Sequence, residues 1–309
     1  MRKPKRKTRK KQHRRWLYPV LFGVLAMLLG ALIWPNYSQY NVNKNTESDM
    51  PVYEDIQVQP PQVAALEPEP IVPKTVDKKT YQYDKVKQHG IALIMDDVGY
   101  NLPALKRVLD LDFPVAISII PDAPHAREAA EMAHKAGDVV MLHMPMEPSN
   151  PHYRKRMDDS FLRGDMPEEM VQSMLLHGLA KVPYAKGLNN HMGSFLTSMP
   201  EPMAWVMKFC REHQLFFVDS KTSSKSVASE IAASYGLVWG ARRVFLDNSV
   251  KEVDMKKAWL SAERCAKRQG GCIVIAHPHP ETLAFLETKR TYLKSKVMRV
   301  VVDLLHVPK

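Results

Sequence analysis

The chain has 309 residues, of which 45% are hydrophobic and 25% charged, enough for a large core, and it carries a formal net charge of +11. Ten Lys or Arg fall within the first fifteen residues, which hold no acid, so the remainder is near neutral and offers no basic face for nucleic acid. The three cysteines, Cys210, Cys265 and Cys272, form no CxxC pair; this argues against a disulfide framework and for buried free thiols, with an oxidised Cys265–Cys272 bridge as the alternative.

Residues 1–15 form the basic tail, and 16–34 read as a transmembrane signal anchor. Leu17 to Trp34 is uncharged and is flanked by Trp16, Tyr18 and Trp34 where interfacial anchors belong. At about 1.5 Å per residue the stretch nearly spans the roughly 30 Å hydrocarbon layer, and the basic residues before it belong on the cytoplasmic side. A cleaved secretory signal is the competing reading. Ile33, Trp34, Pro35, Asn36 and Tyr37 supply no small-x-small site, which favours an uncleaved anchor. The expected location is a bacterial inner membrane, crossed once, with the C-terminal domain in the periplasm or otherwise outside the cytoplasm. Residues 35–88, rich in Pro, Gln, Glu and Asn, read as a flexible, disordered linker with a root-mean-square span of about 40 Å.

Residues 89–309 form the folded domain. Seven apolar runs, each ending in a polar or proline residue, read as parallel strands: Ile91–Asp97, Val115–Asp122, Val139–Pro145, Gly187–Ser194, Leu215–Ser220, Val238–Asp247 and Cys272–Pro280. Between them Asn101–Asp110, His125–Ala136, Pro167–Lys181, Pro200–His213, Lys225–Tyr235 and Asp254–Gln269 are amphipathic and read as helices. Val297–Leu305 fits an eighth strand or a closing helix. This βα alternation makes the domain α/β, and a parallel sheet or barrel gathers the carboxyl ends of its strands at one face.

The first, third, fourth, fifth and seventh strand ends carry the metal-capable or acid-base residues Asp96, Asp97, His143, His191, Asp219 and His277. Asp96 and Asp97 close the first; neighbouring carboxylates alternate sides on an extended backbone, so one can hold a cation while the other serves as a general base. His143 ends the third strand and His191 the fourth. Two histidines facing an acidic pair suit Zn²⁺, or another divalent metal, with two His, one Asp and an open fourth position; Glu147 is the rival third ligand. Methionines beside these histidines (Met144, Met146, Met192) are compatible with copper but read as packing. Asp219 and Ser220 could orient a ligand or a substrate hydroxyl, and a Ser–Lys nucleophile around Lys221 is the weak alternative there. Arg242, Arg243 and Asp247 suggest an ion pair around the sixth strand. His277 and His279, stiffened by Pro278 and Pro280, lie where a proton donor to a leaving group is wanted.

Taken in order, the Asp96–Asp97 pair, HMPMEP at His143, NNHMGS at His191, FVDSKTSS at Asp219, VFLDN at Asp247 and AHPHP at His277 resemble the divergent polysaccharide deacetylases of the carbohydrate esterase, NodB-like superfamily. The resemblance spans about Ile91 to Leu286. It implies a distorted (β/α)7-type barrel that acts as a metal-dependent hydrolase, removing acetyl groups from amino sugars of cell-wall, peptidoglycan-type or exported polysaccharide. It also implies Asp96 as base, Asp97 and His143 as metal ligands and His277 as acid. Two departures stand out. The second histidine ligand of the wider superfamily lies four residues after the first, where this chain has Glu147, so His191 takes its place. The arginine-proline motif that tunes the base is also absent. Glu147, Asn190, Asp219, Ser220, Arg243 and His279 remain as substrate-binding or supporting residues. The alternative is a barrel on a membrane tether that binds a glycan or an envelope partner without turnover.

Overall fold

The structure, a computed structural model, describes residues 90–296 and 298–307; the basic tail, the anchor and the linker lie outside them. The described residues form eight strands and eight α-helices. The strands are β1 (Gly90–Val98), β2 (Val115–Ile119), β3 (Val139–Met146), β4 (Gly187–Met192), β5 (Phe216–Asp219), β6 (Trp239–Ala241), β7 (Val244–Phe245) and β8 (Gly271–Ala276). The helices are α1 (Leu102–Leu109), α2 (Ala126–Ala136), α3 (Pro151–Arg154), α4 (Glu168–Lys181), α5 (Pro200–Glu212), α6 (Ala228–Ser234), α7 (Glu252–Gln269) and α8 (Pro280–Lys296). No described helix is long and apolar enough to cross a membrane.

All strand pairs are parallel, in the order β6-β5-β4-β3-β2-β1-β8-β7. The sixth apolar run is therefore not one strand. It breaks at Arg242 and Arg243 into β6 and β7, which occupy opposite edges of the sheet. The Arg242 N–H donates to Asp219 O at the end of β5, and the next N–H, of Arg243, donates to Ile273 O in β8. Two consecutive residues thus join the two ends of the half-barrel, where a strand pair would otherwise be needed to cover the edges.

Strand parity sorts the core into two layers. Ile91, Leu93 and Met95 face the helices, together with Ile117, Leu142, Phe217 and Val274. Ala92, Ile94, Ala116, Met141, Phe216, Val218, Ile273 and Ile275 face inward, around Val301, Leu304 and Leu305. The Phe216 ring occupies the space a side chain on Gly187 would take, so glycine there lets a large ring fill the interior. The ambiguous C-terminal segment is neither strand nor long helix: a 3₁₀ turn over Val301–Leu304 plugs this end, and Trp239 pairs with His306 beside it.

Helix α8 has no counterpart among the expected helices. Its described buried side chains include Leu283, Leu286 and Leu293, with Thr282 and Phe285 beside them on one face, but Lys289 and Arg290 interrupt that face in the sequence.

Asp138, just before β3, accepts the Val115 N–H at 3.3 Å, and burial raises its pKa from 3.8 to about 6 despite that bond. The folded chain therefore holds a proton that the unfolded chain loses, so stability falls as pH rises from about 3.8 to about 6 and is level above. Asp138→Asn keeps the acceptor and removes the charge. Its Tm advantage over wild type is expected to be larger at pH 7.5 than at pH 4; an equal difference at both would show that Asp138 ionises freely in the fold.

Candidate metal centre

The inward rows lead directly to the site. Continuing each apolar row toward the carboxyl end of its strand gives Asp96 after Ala92 and Ile94, Ser118 after Ala116, and His143 after Met141. On the other strands it gives Asn189 and His191 after Gly187, Ser220 after Val218, and His277 after Ile275. A period of two keeps these positions on the same face. The interior is apolar at one end and polar at the other.

Asp97 breaks this parity. Its φ is 56°, and the β1–β2 register shifts between Met95 and Val98. The irregularity turns its carboxylate to the same side as that of Asp96, contrary to the alternation expected of adjacent residues. His143 Nε2 lies 3.2 Å from Asp97 Oδ1 and 3.7 Å from Asp96 Oδ2, and His191 Nδ1 lies 2.8 Å from Asp97 Oδ1. The two imidazoles meet edge to face with centroids 5.1 Å apart, and Phe161 stands 6.1 Å from His191 as a wall.

Asn189 fixes the orientation of the group. Its Nδ2 donates to Asp96 Oδ1 at 2.9 Å and to Ser220 Oγ at 3.3 Å, while its Oδ1 accepts from Ser118 Oγ at 2.6 Å and faces His143 Nδ1 at 2.8 Å. A carboxamide oxygen only accepts, so His143 carries a proton on Nδ1 and turns Nε2 toward the carboxylates. Burial opposes charging of His143, yet the Asp96 charge and the bond to Asp97 raise its pKa. Burial likewise opposes ionisation of Asp97, but His191 and His143 hold its pKa well below the ordinary value. The carboxylate stays ionised.

Asp97, His143 and His191 each offer one atom to a common point, all within 4.8 Å of one another, and all three are buried. Two imidazoles and an ionised carboxylate fit a divalent cation, and the Asn189 bond to the far nitrogen of His143 is the support such a ligand needs.

A second group faces this one. Asp247 accepts the His277 backbone N–H at 2.7 Å and Thr282 Oγ1 at 2.8 Å through Oδ2, and His277 Nδ1 at 3.0 Å through Oδ1. Although Asp247, His277 and His279 also cluster within 4.8 Å, the oxygens of Asp247 are engaged in these bonds. The arrangement is a hydrogen-bonded carboxylate–imidazole pair with Nε2 as the outward nitrogen. Phe245 stacks on His277 at 5.0 Å, and Arg242 lies over Phe245 at 4.6 Å. Burial alone would lower the His277 pKa; the charge and bond of Asp247, with Asp97 and Asp96 behind them, raise it. His279, with its ring 6.0 Å from that of His277, has its pKa lowered by burial.

Other expected residues lie outside the cluster. Glu147 pairs with Arg154 Nε at 2.9 Å and accepts the Gly164 N–H at 2.8 Å, which braces the long β3–α4 connection. Asn190 and Asp219 have the outward parity. Asn190 Oδ1 accepts the Ser220 N–H, supporting that residue from behind, whereas Asp219 takes Ser226, Ser229 and the Lys221 N–H around the entry to α6. Lys221 Nζ lies 3.4 Å from Asp219 Oδ2 and Ser223 Oγ accepts the Lys225 N–H, so both are engaged in that turn. Arg243 does not pair with Asp247: it lines a small cavity with Gln269, Gly271 and His306 at the opposite end of the sheet. Arg242 instead donates to the carbonyls of Ser220 and Lys221. Asn189, Ser118 and the Asp247–His277 pairing escape a reading of strand ends alone, although Asn189 shares the parity of His191.

These features define a parallel half-barrel with a His/Asp donor group at the carboxyl ends of its strands. The model of the divergent polysaccharide deacetylase family matches residues 93–305, and the chain belongs to that family. Among curated proteins it is 36% identical over 197 residues to the uncharacterized protein YibQ of Escherichia coli, covering 64% of this chain and 61% of that protein's length. It is 35% identical over 200 residues to an uncharacterized protein of Haemophilus influenzae, covering 65% of this chain and 70% of that one. An uncharacterized protein of Agrobacterium tumefaciens has a solved structure with the same fold, at TM-score 0.65 and 21% identity over 70% of this chain and 89% of that one.

Proposed function

We propose that the domain is a metal-dependent hydrolase that removes acetyl groups from amino sugars of cell-wall or exported polysaccharide. The observation that carries this reading is the convergence of Asp97, His143 and His191 next to a further carboxylate, Asp96, with the Asp247–His277 pair facing them. Asp97, His143 and His191 would hold the ion, Zn²⁺ by preference of the donor set, which when bound supplies Lewis acidity to the acetyl carbonyl and eases deprotonation of water at neutral pH. Asp96 takes the proton of the attacking water, its other oxygen steadied by Asn189. His277 gives a proton from Nε2 to the departing amine, and Asp247 holds the ring in the tautomer that permits this. Acetate release from acetylated amino-sugar oligomers, abolished by a chelator and restored by zinc, tests the proposal. Glycan binding without acetate release across such a panel would favour the non-catalytic barrel.

The same reading places the domain outside the cytoplasm, held to the inner membrane by residues 16–34. The protein is expected to stay with membranes after a carbonate wash and to keep its basic tail. A mature amino terminus between Pro35 and Lys44 would show cleavage instead.

A further inference from the structure

The geometry points to Cys265 and Cys272 as a dithiol that closes to a disulfide, a modification site separate from the metal centre. Cys265 lies in the last turns of α7. Gly270, with φ 85°, reverses the chain, and Cys272 is the second residue of β8. The Cys265 sulphur lies 3.9 Å from the Gly271 carbonyl oxygen, the residue adjoining Cys272, and 3.7 Å from Gln269 Oε1. Both cysteines are buried in the layer between sheet and helices. A helix end and a strand start joined by so short a turn hold both side chains in this layer, with the Cys265 sulphur against the residue that precedes Cys272, as long as α7 is docked. Cys210, buried in α5, stands in a different helix and has no part in the contact.

The chemistry is thiol–disulfide exchange with an external disulfide as oxidant. One cysteine thiolate attacks a sulphur of that disulfide, forming a mixed disulfide and releasing one thiolate. The second cysteine, losing its proton, attacks the cysteine sulphur and releases the other. One S–S bond forms in the protein, and the two electrons reduce the acceptor to two thiols. Burial pushes the Cys272 thiol up in pKa, which disfavours the thiolate in the closed fold. Exchange therefore proceeds when the last turn of α7 opens, or during folding before the pair is covered. An oxidising compartment supplies the acceptor, and a reducing one keeps the pair open. The bridge closes a short loop and pins α7 to the start of β8, at the far end of that strand from His277. Its loss of unfolded-chain freedom corresponds to a rise of roughly 5 °C in Tm for a domain of this size.

The test is to fold the full chain in reduced and in oxidised glutathione, quench with acid, then denature, alkylate and weigh it. Three alkyl groups are expected on the reduced form and a single one, on Cys210, on the oxidised form, with a peptide linking Cys265 to Cys272. The accompanying rise in Tm should persist in Cys210→Ala and vanish in Cys265→Ser and Cys272→Ser. Three alkyl groups after oxidation, stable glutathione adducts, or a bridge to Cys210 would each overturn the inference. Because the readouts are thiol count and melting, failure here leaves the hydrolase reading untouched, and an inactive but bridged protein would separate the two in the other direction.

Discussion

Replacing His277 with alanine is expected to slow hydrolysis of an acetylated amino sugar by roughly 10²–10⁴-fold while zinc remains bound, the range for loss of a positioned general acid. The reason lies in the leaving group. An amine cannot depart as its anion, so an amide substrate depends on the proton, whereas an activated aryl ester scarcely does and should lose much less rate in the same variant. The acid must be charged at the working pH. Asp247 raises the His277 pKa against the effect of burial, so the alkaline limb of the amide profile should lie above the ordinary imidazole range near ~6.5. Asp247→Asn removes the charge that holds the proton and should move that limb to lower pH. Equal losses on amide and ester would assign His277 to structure or metal binding, and an unmoved limb in Asp247→Asn would remove the pair from the chemistry.

The second large effect separates the two neighbouring aspartates. Asp97→Ala is expected to remove most of the bound zinc, since it takes away the only carboxylate of a three-residue donor set and leaves two imidazoles facing each other. Asp96→Asn should retain zinc and reduce turnover to near background, because the amide preserves the contact with Asn189 but cannot accept the proton of water. Zinc content and acetate release measured on the same preparations decide this. Loss of zinc in Asp96→Asn with full retention in Asp97→Ala would exchange their roles, and full occupancy in His191→Ala would strike His191 from the ligand set.

Much of this site was legible because parallel topology carries distant strand ends to one face: Asp96, Asp97, His143, His191 and His277 each follow an apolar run, and those runs became β1, β3, β4 and β8. The rest depended on backbone detail that periodicity does not encode. Alternation sends adjacent aspartates to opposite sides, and only the left-handed φ of Asp97 and the β1 irregularity bring both inward. Asn189 could have been found by counting two back from His191. Its neighbour Asn190, of the other parity, supports Ser220 from behind rather than facing the cluster. Arg243 and Asp247 are close in sequence and suggested a pair, but the split of the sixth run sends Arg243 to the opposite end of the sheet and leaves Asp247 to His277. Glu147 occupied the position of a missing ligand by spacing alone; after the strand ends, the chain turns that carboxylate to Arg154 and Gly164. Helix α8 lacks a clear apolar pattern in the sequence because Lys289 and Arg290 interrupt the face that carries Leu283, Leu286 and Leu293.

In the proposed function Asp97, His143 and His191 hold a catalytic metal. Elemental analysis of the purified protein, paired with an anomalous difference map from its crystals at the zinc edge, tests it most directly. The account predicts about one zinc per chain, coordinated by two histidine nitrogens and one carboxylate with an exchangeable position open. Zinc-replete crystals with no anomalous peak among these residues, or with the peak at Asp247, His277 and His279 instead, would contradict it.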